Sequence, residues 1–100
     1  MRASFIYRLE AVRLGMVTDG PDAEELPVLG RHLAYLRDLA KQGRLVVAGR
    51  TTTDDERVFG LAVLDVADEA EARAIMQADP AVSHGLMRAE LFPFRIAVER

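Results

Sequence analysis

Apolar side chains recur at every second position near the start of the chain. Phe5, Tyr7, Leu9 and Ala11 fall on one side of the segment Ala3 to Val12, and Ser4, Ile6, Arg8, Glu10 and Val12 fall on the other, which predicts a first strand. The stretch Leu14 to Pro21 then collects Gly, Thr, Asp and Pro, residues that favour turns, and reads as a loop long enough to act as a lid. Beyond it the period changes. Leu26, Leu29, Leu33, Leu36 and Ala40 follow helical spacing, and Gly43 stands where a left-handed C-cap would sit, so a helix is expected from about Asp22 or Pro27 to Gln42. Arg44 to Arg50 reads as a short strand and Arg57 to Val66 as a strongly apolar one, with the polar run Thr51 to Glu56 as the tip of a hairpin between them.

Asp68 suits the N-cap of a second helix, because Glu69 and Glu71 would lie at the positive end of its dipole and Ala72, Ile75 and Met76 form an inward stripe. Pro80 ends it, since the residue before a proline avoids the helical region. After a turn closing at Gly85, the run Leu86 to Val98 alternates again, with Phe92, Phe94, Ile96 and Val98 on one face. Pro93 donates no ladder hydrogen bond and assigns this strand to an edge or a bulge. The order βαββαβ in 100 residues predicts an α+β fold on the ferredoxin-like plan, a single domain over 1–100.

Two apolar faces on one strand carry the expectation further. Phe59, Leu61 and Val63 lie on one side of the Arg57 to Val66 strand and Val58, Ala62, Leu64 and Val66 on the other, whereas two helices cover only one face of a four-stranded sheet. Sheet-to-sheet packing in a homodimer is the simplest cover for the second face; the alternative is that the C-terminal tail or the Leu14 to Pro21 loop folds over it.

Composition narrows the chemistry. The chain has 13 basic and 16 acidic side chains, a formal charge of −3, and no basic block, which argues against nucleic acid as a partner. It lacks cysteine, which removes disulfides, thiolate nucleophiles and Cys-ligated metals. No apolar run is long enough to span a membrane and no signal-peptide pattern opens the sequence, so a cytoplasmic protein with no membrane partner is expected. Nucleotide-binding glycine loops and zinc motifs are also missing, and no cofactor or metal site is expected.

Few residues remain that could act on a substrate. With the stripe Leu29, Leu33, Leu36 and Ala40 as the centre of the first helix, His32 falls about 60° to one side at roughly 100° per residue, on the flank shared by Val28 and Leu39. It should point toward a sheet edge. Asp79 lies at i+7 from Ala72, i+4 from Ile75 and i+3 from Met76, on the inward stripe of the second helix. A carboxylate in the last turn of a helix opposes the dipole, so it needs a compensating donor, and His32 meeting Asp79 is the economical solution. Such a pair would orient one imidazole nitrogen and leave the other free as a general acid or base; its plainer reading is a buried structural contact. His84 in its short turn reads as an exposed histidine, Thr51 to Glu56 as a solvated hairpin tip, and Asp22 to Glu25 as dipole compensation at a helix start.

The blocks RHLAYLRDLAKQGRLVVAG (Arg31 to Gly49) and ADPAVSHGLMRAELFPF (Ala78 to Phe94) resemble the YciI-like (YCII-related) family of small dimeric α+β barrel proteins. The first block is similar to the family's H-L-x-x-L followed by G-x-L and A-G, and the second to its A-D-P-x-V-x-x-G with a terminal P-F. The resemblance implies a ferredoxin-like protomer, a homodimer by sheet packing, and an active site whose family His and Asp correspond to His32 and Asp79. It also implies, as an expectation, a cofactor-independent lyase or isomerase acting on an unknown small organic molecule, since family members of known activity include lyases of small aromatic ring compounds. The competing expectation is a non-catalytic dimeric module that binds a small ligand or a protein, with His32 and Asp79 as a structural pair.

Overall fold

The computed structural model describes residues 3–100; Met1 and Arg2, the first two residues of the expected domain, lie outside them. The elements run β1 (Ala3–Ala11), α1 (Gly15–Thr18), α2 (Glu25–Lys41), β2 (Leu45–Arg50), β3 (Gly60–Val66), α3 (Glu69–Ala78), α4 (Pro80–Ser83) and β4 (Met87–Phe94). All strand pairs are antiparallel and form one four-stranded sheet in the order β2-β3-β1-β4. This is the expected α+β, ferredoxin-like βαββαβ plan with two one-turn helices added.

Side-chain alternation sets the two layers. Phe5, Tyr7 and Leu9 of β1 and Ala62, Leu64 and Val66 of β3 are buried against Leu36 and Leu39 of α2 and Ala72, Ile75 and Met76 of α3. Met87, Ala89 and Leu91 of β4 pack on the same core. β4 is an edge strand, paired only with β1, and Pro93 stands opposite Phe5. Its missing N–H therefore costs the ladder little.

Local chemistry explains the helix starts. Asp22 Oδ1 accepts from the Glu24 and Glu25 N–H groups at 3.0 and 2.9 Å, while Glu25 Oε1 accepts from Asp22 N–H at 2.9 Å, a reciprocal capping box. Asp68 caps α3 as expected, accepting from Glu71 N–H at 2.9 Å.

Several boundaries differ from the sequence reading. The Leu14 to Pro21 segment contains the one-turn helix α1, which buries Met16. The strand expected from Arg57 begins at Gly60, and the one expected to reach Val98 ends at Phe94. Alternation of residue type continues beyond both limits, but a strand exists only where a neighbour supplies hydrogen bonds. The apolar stripe of the first helix is also displaced. Val28, Leu36 and Leu39 are its buried residues, while Leu26 and Leu33 are exposed. Periodicity marks an apolar face without saying whether protein or open space lies against it.

Leu64 is fully buried at the centre of the core. Leu64→Ala is expected to lower stability by roughly 3 kcal/mol through lost transfer energy and a residual cavity, with the fold retained, as read from urea unfolding.

Candidate functional site

Asp79 is the one buried polar or charged residue among the described residues. It does not occupy the last turn of α3, as the helical count suggested. Its backbone is extended (φ −60°, ψ 123°), so that it closes α3 and at once caps α4, with Oδ1 accepting from Ala81 N–H at 3.0 Å. Pro80 accounts for this geometry, because it disfavours the helical conformation at Asp79 and serves well as the first residue of the helix that follows. The unfavourable position against a dipole thus becomes an N-cap, which favours a carboxylate.

Two side chains complete its shell. His32 Nδ1 lies 2.7 Å from Asp79 Oδ1, and the Tyr7 hydroxyl donates to Asp79 Oδ2 at 2.8 Å. The structure therefore brings together the two residues singled out in the sequence, and adds Tyr7, which sequence reasoning placed only on one side of the first strand. Its signal was weak: a tyrosine at an inward strand position needs a partner for its hydroxyl. Burial is the largest cause that pushes the Tyr7 phenol well above its ordinary range, followed by the Asp79 charge and the hydrogen bond to it. Tyr7 thus remains a donor. Tyr35, whose hydroxyl donates to the Ile75 carbonyl at 2.8 Å and ties α2 to α3, is raised by burial and then by the Asp79 charge.

The hydrogen-bond pattern also assigns the imidazole. A carboxylate already accepting from Tyr7 and Ala81 accepts from His32 as well, which puts a proton on Nδ1, so that any exchange of the second proton takes place at Nε2. The His32 side chain is 15% exposed, and no buried side-chain nitrogen or oxygen lacks a partner among the described residues. Nε2, which has no protein partner, therefore reaches open space.

His32 borders a cavity of about 650 Å³ between α2 and the β2–β3 side of the sheet. His32, Leu29, Leu33 and Leu36 of α2, Met16 of α1 and Ala48 of β2 are among its walls. The apolar stripe of α2 is thus divided: one flank packs on the core and the other faces the cavity. The Leu14 to Pro21 segment contributes Met16 and Val17 to the wall. It is tethered by Arg13, whose Nε donates to Glu25 Oε2 at 3.0 Å and whose second amino group also meets Glu25.

The other candidates lie elsewhere. His84 Nδ1 is 3.1 Å from the Pro80 carbonyl at an exposed position, and Asp55 in the hairpin tip is paired with Arg57. Among the described residues no group of three His, Cys, Asp or Glu side chains comes together as a metal site, and no helix is long and apolar enough to cross a membrane.

An antiparallel four-stranded sheet in the order β2-β3-β1-β4 with its helices on one face defines the ferredoxin-like α+β class, and a solved structure shares this fold. The chain superposes on 5-chloro-2-hydroxyhydroquinone dehydrochlorinase from Burkholderia phenoliruptrix, solved with 2,5-dihydroxybenzoquinone, with a TM-score of 0.64 and 18% identity, covering 91% of this chain and 93% of that one. SnoaB, a cofactor-independent oxygenase from Streptomyces nogalater, matches at a TM-score of 0.49 and 19% identity over 99% and 98% of the two chains. No curated protein matches by sequence. The YCII-related domain profile matches residues 11–95, and the chain belongs to that family.

Tyr7→Phe leaves one oxygen of a fully buried carboxylate without its donor. A loss of about 1–3 kcal/mol is expected in urea unfolding. Because the folded-state pKa of Tyr7 is raised, its share of stability is full below the unfolded value of about 10 and is lost as pH rises through the folded one. Tyrosinate absorbance in an alkaline titration should therefore show Tyr7 ionising only with unfolding.

Proposed function

We propose that this protein is a small-molecule enzyme of the lyase or isomerase type in which His32 exchanges a proton with the substrate through Nε2 and Asp79 orients the ring. The observation that carries this reading is the division of the imidazole: Nδ1 is held by a buried carboxylate, while Nε2 has no protein partner and the residue borders an apolar cavity. A neutral imidazole so fixed is a general base with its free lone pair aimed in a set direction. The apolar walls suit an organic substrate, and 650 Å³ lies in the ordinary range for small-molecule sites. Proton transfer of this kind needs only the His32 and Asp79 side chains, which makes a cofactor-independent reaction the simplest one.

The dehydrochlorinase that shares the fold acts on a chlorinated hydroquinone. Loss of hydrogen chloride from such a ring requires a base to take a proton and an exit for chloride; His32 suits the first task. A substituted hydroquinone is accordingly the first substrate class to assay.

We further propose that the working unit is a homodimer. Phe92, Ile6, Val63 and Val47 form one row across all four strands on the sheet face away from the helices. Phe92 and Phe94 on that face are 36% and 42% exposed. A contiguous apolar face of this kind calls for a cover, and a second copy supplies an identical one about a two-fold axis.

A second reading has its own support. Asp79 has all its partners within the protein, as a structural pair in a non-catalytic ligand-binding module would.

Turnover of chlorinated hydroquinones, followed as chloride release, separates the two. In His32→Gln, which keeps a donor for Asp79, the enzyme reading expects a folded protein with kcat/KM lowered about 100-fold or more. Unchanged turnover would refute a role for His32, and a loss of stability with unaltered ligand binding would favour the structural pair. Light scattering after size exclusion should give twice the protomer mass of 11.1 kDa; a stable monomer at micromolar concentration would overturn the dimer.

A further inference from the structure

None of the 16 carboxylates of this acidic chain lines the cavity, whereas His32, Arg37 and Arg50 all do. Asp19, within the Leu14 to Pro21 segment, is not among the lining residues, and Asp22 and Glu25 just beyond it both meet Arg13. Other arginines are matched as well, Arg44 by Glu71 and Arg57 by Asp55. The guanidinium groups of Arg37 and Arg50, by contrast, make no hydrogen bond or ion pair with any described residue. An apolar cavity bordered by uncompensated guanidinium groups favours a ligand that is both apolar and negatively charged.

Register shows which of the two arginines is placed to recognise it. Tyr7, Ala62 and Ala48 form one row across β1, β3 and β2, and Tyr7 in that row holds the Asp79 side of the His32 pair. Leu9, Gly60 and Arg50 form the next row on the same face, roughly 7 Å along the strands. Arg50 therefore faces the helices, beside a position that has no side chain. Gly60, which also borders the cavity, puts no side chain between Leu9 and Arg50 in that row. Arg37, one helical turn beyond Leu33, is exposed as Arg50 is and also borders the cavity, but it lies on α2 and has no place in the strand row beside that of Tyr7.

We propose that Arg50 is the recognition residue that makes this cavity selective for an aromatic monoanion, a carboxylate, sulfonate or phenolate on a ring body. Leu29, Leu33 and Leu36 receive the body, and Arg50 holds the charged group one row of side chains away from the His32 ring. The inference rests on the reading of this cavity as a small-molecule site. It specifies the charge of the occupant and leaves the reaction open.

Two probes of similar shape test it: anilinonaphthalene sulfonate, an aromatic anion, and neutral phenylnaphthylamine. Titration is followed by fluorescence, and the site is mapped by amide chemical shifts. The anion should bind about tenfold more tightly than the neutral probe, with shifts at Leu33, Ala48 and Arg50. Arg50→Gln should remove that difference by weakening the anion about tenfold while leaving the neutral probe unchanged, and Arg37→Gln should weaken the anion by less than about threefold. Equal affinity for the two probes overturns the proposal, as does a loss that falls on Arg37→Gln instead. Shifts confined to Phe92 and Phe94 on the open sheet face would also overturn it, and binding of neither probe removes the cavity as a ligand site. The readout needs no turnover. A result in which His32→Gln leaves catalysis unaltered would end the acid–base reading and leave the Arg50 result standing.

Discussion

A fully buried carboxylate organises the site. Asp79 belongs to no regular helix or strand, and the elements around it meet there because it must be satisfied. Its donors come from Tyr7 in β1, His32 in α2 and Ala81 in α4. A bare carboxylate in an apolar interior costs several kcal/mol, so these contacts act together: removing one leaves the others around an incompletely paired charge. The requirement locks α2 over the centre of the sheet and turns one edge of the imidazole outward.

That placement also explains the cavity. α2 is held near β1 and α3 by the Asp79 cluster and by the Tyr35 hydroxyl on the Ile75 carbonyl. On its other side Leu29 and Leu33 border the open volume. The α1 turn closes part of that volume with Met16 and Val17, and Arg13 anchors it to the capped start of α2. Chemistry and shape therefore share one scaffold. The polar side of α2 that meets Asp79 and the apolar side that lines the cavity are neighbours on a single helix, and His32 lies at their boundary.

Much of this architecture was legible in the chain. The two-residue period of β1, the helical period of α2, the Asp68 cap and the edge assignment of Pro93 all depend on residues close in sequence, and each reappears in the structure. The element order leaves few topologies once connections are short. His32 and Asp79 were also visible, as polar residues on or beside faces where polar residues are costly. The role of Tyr7 was not: it is 72 positions from Asp79, and an inward tyrosine reads as core until its partner is known.

The sequence by itself determined the order of the four strands and the two long helices, the alternation of β1 and the need for something to compensate Asp79, because these follow from local periodicity and the cost of burying charge. Tertiary structure alone decided that the Tyr7 hydroxyl reaches Asp79, that Arg50 lies in the row beside the Tyr7 row, and that half of the α2 stripe faces a cavity. These outcomes depend on strand register and on the distance between a helix and a sheet. Such quantities arise only when distant segments pack, and no periodicity within one segment encodes them.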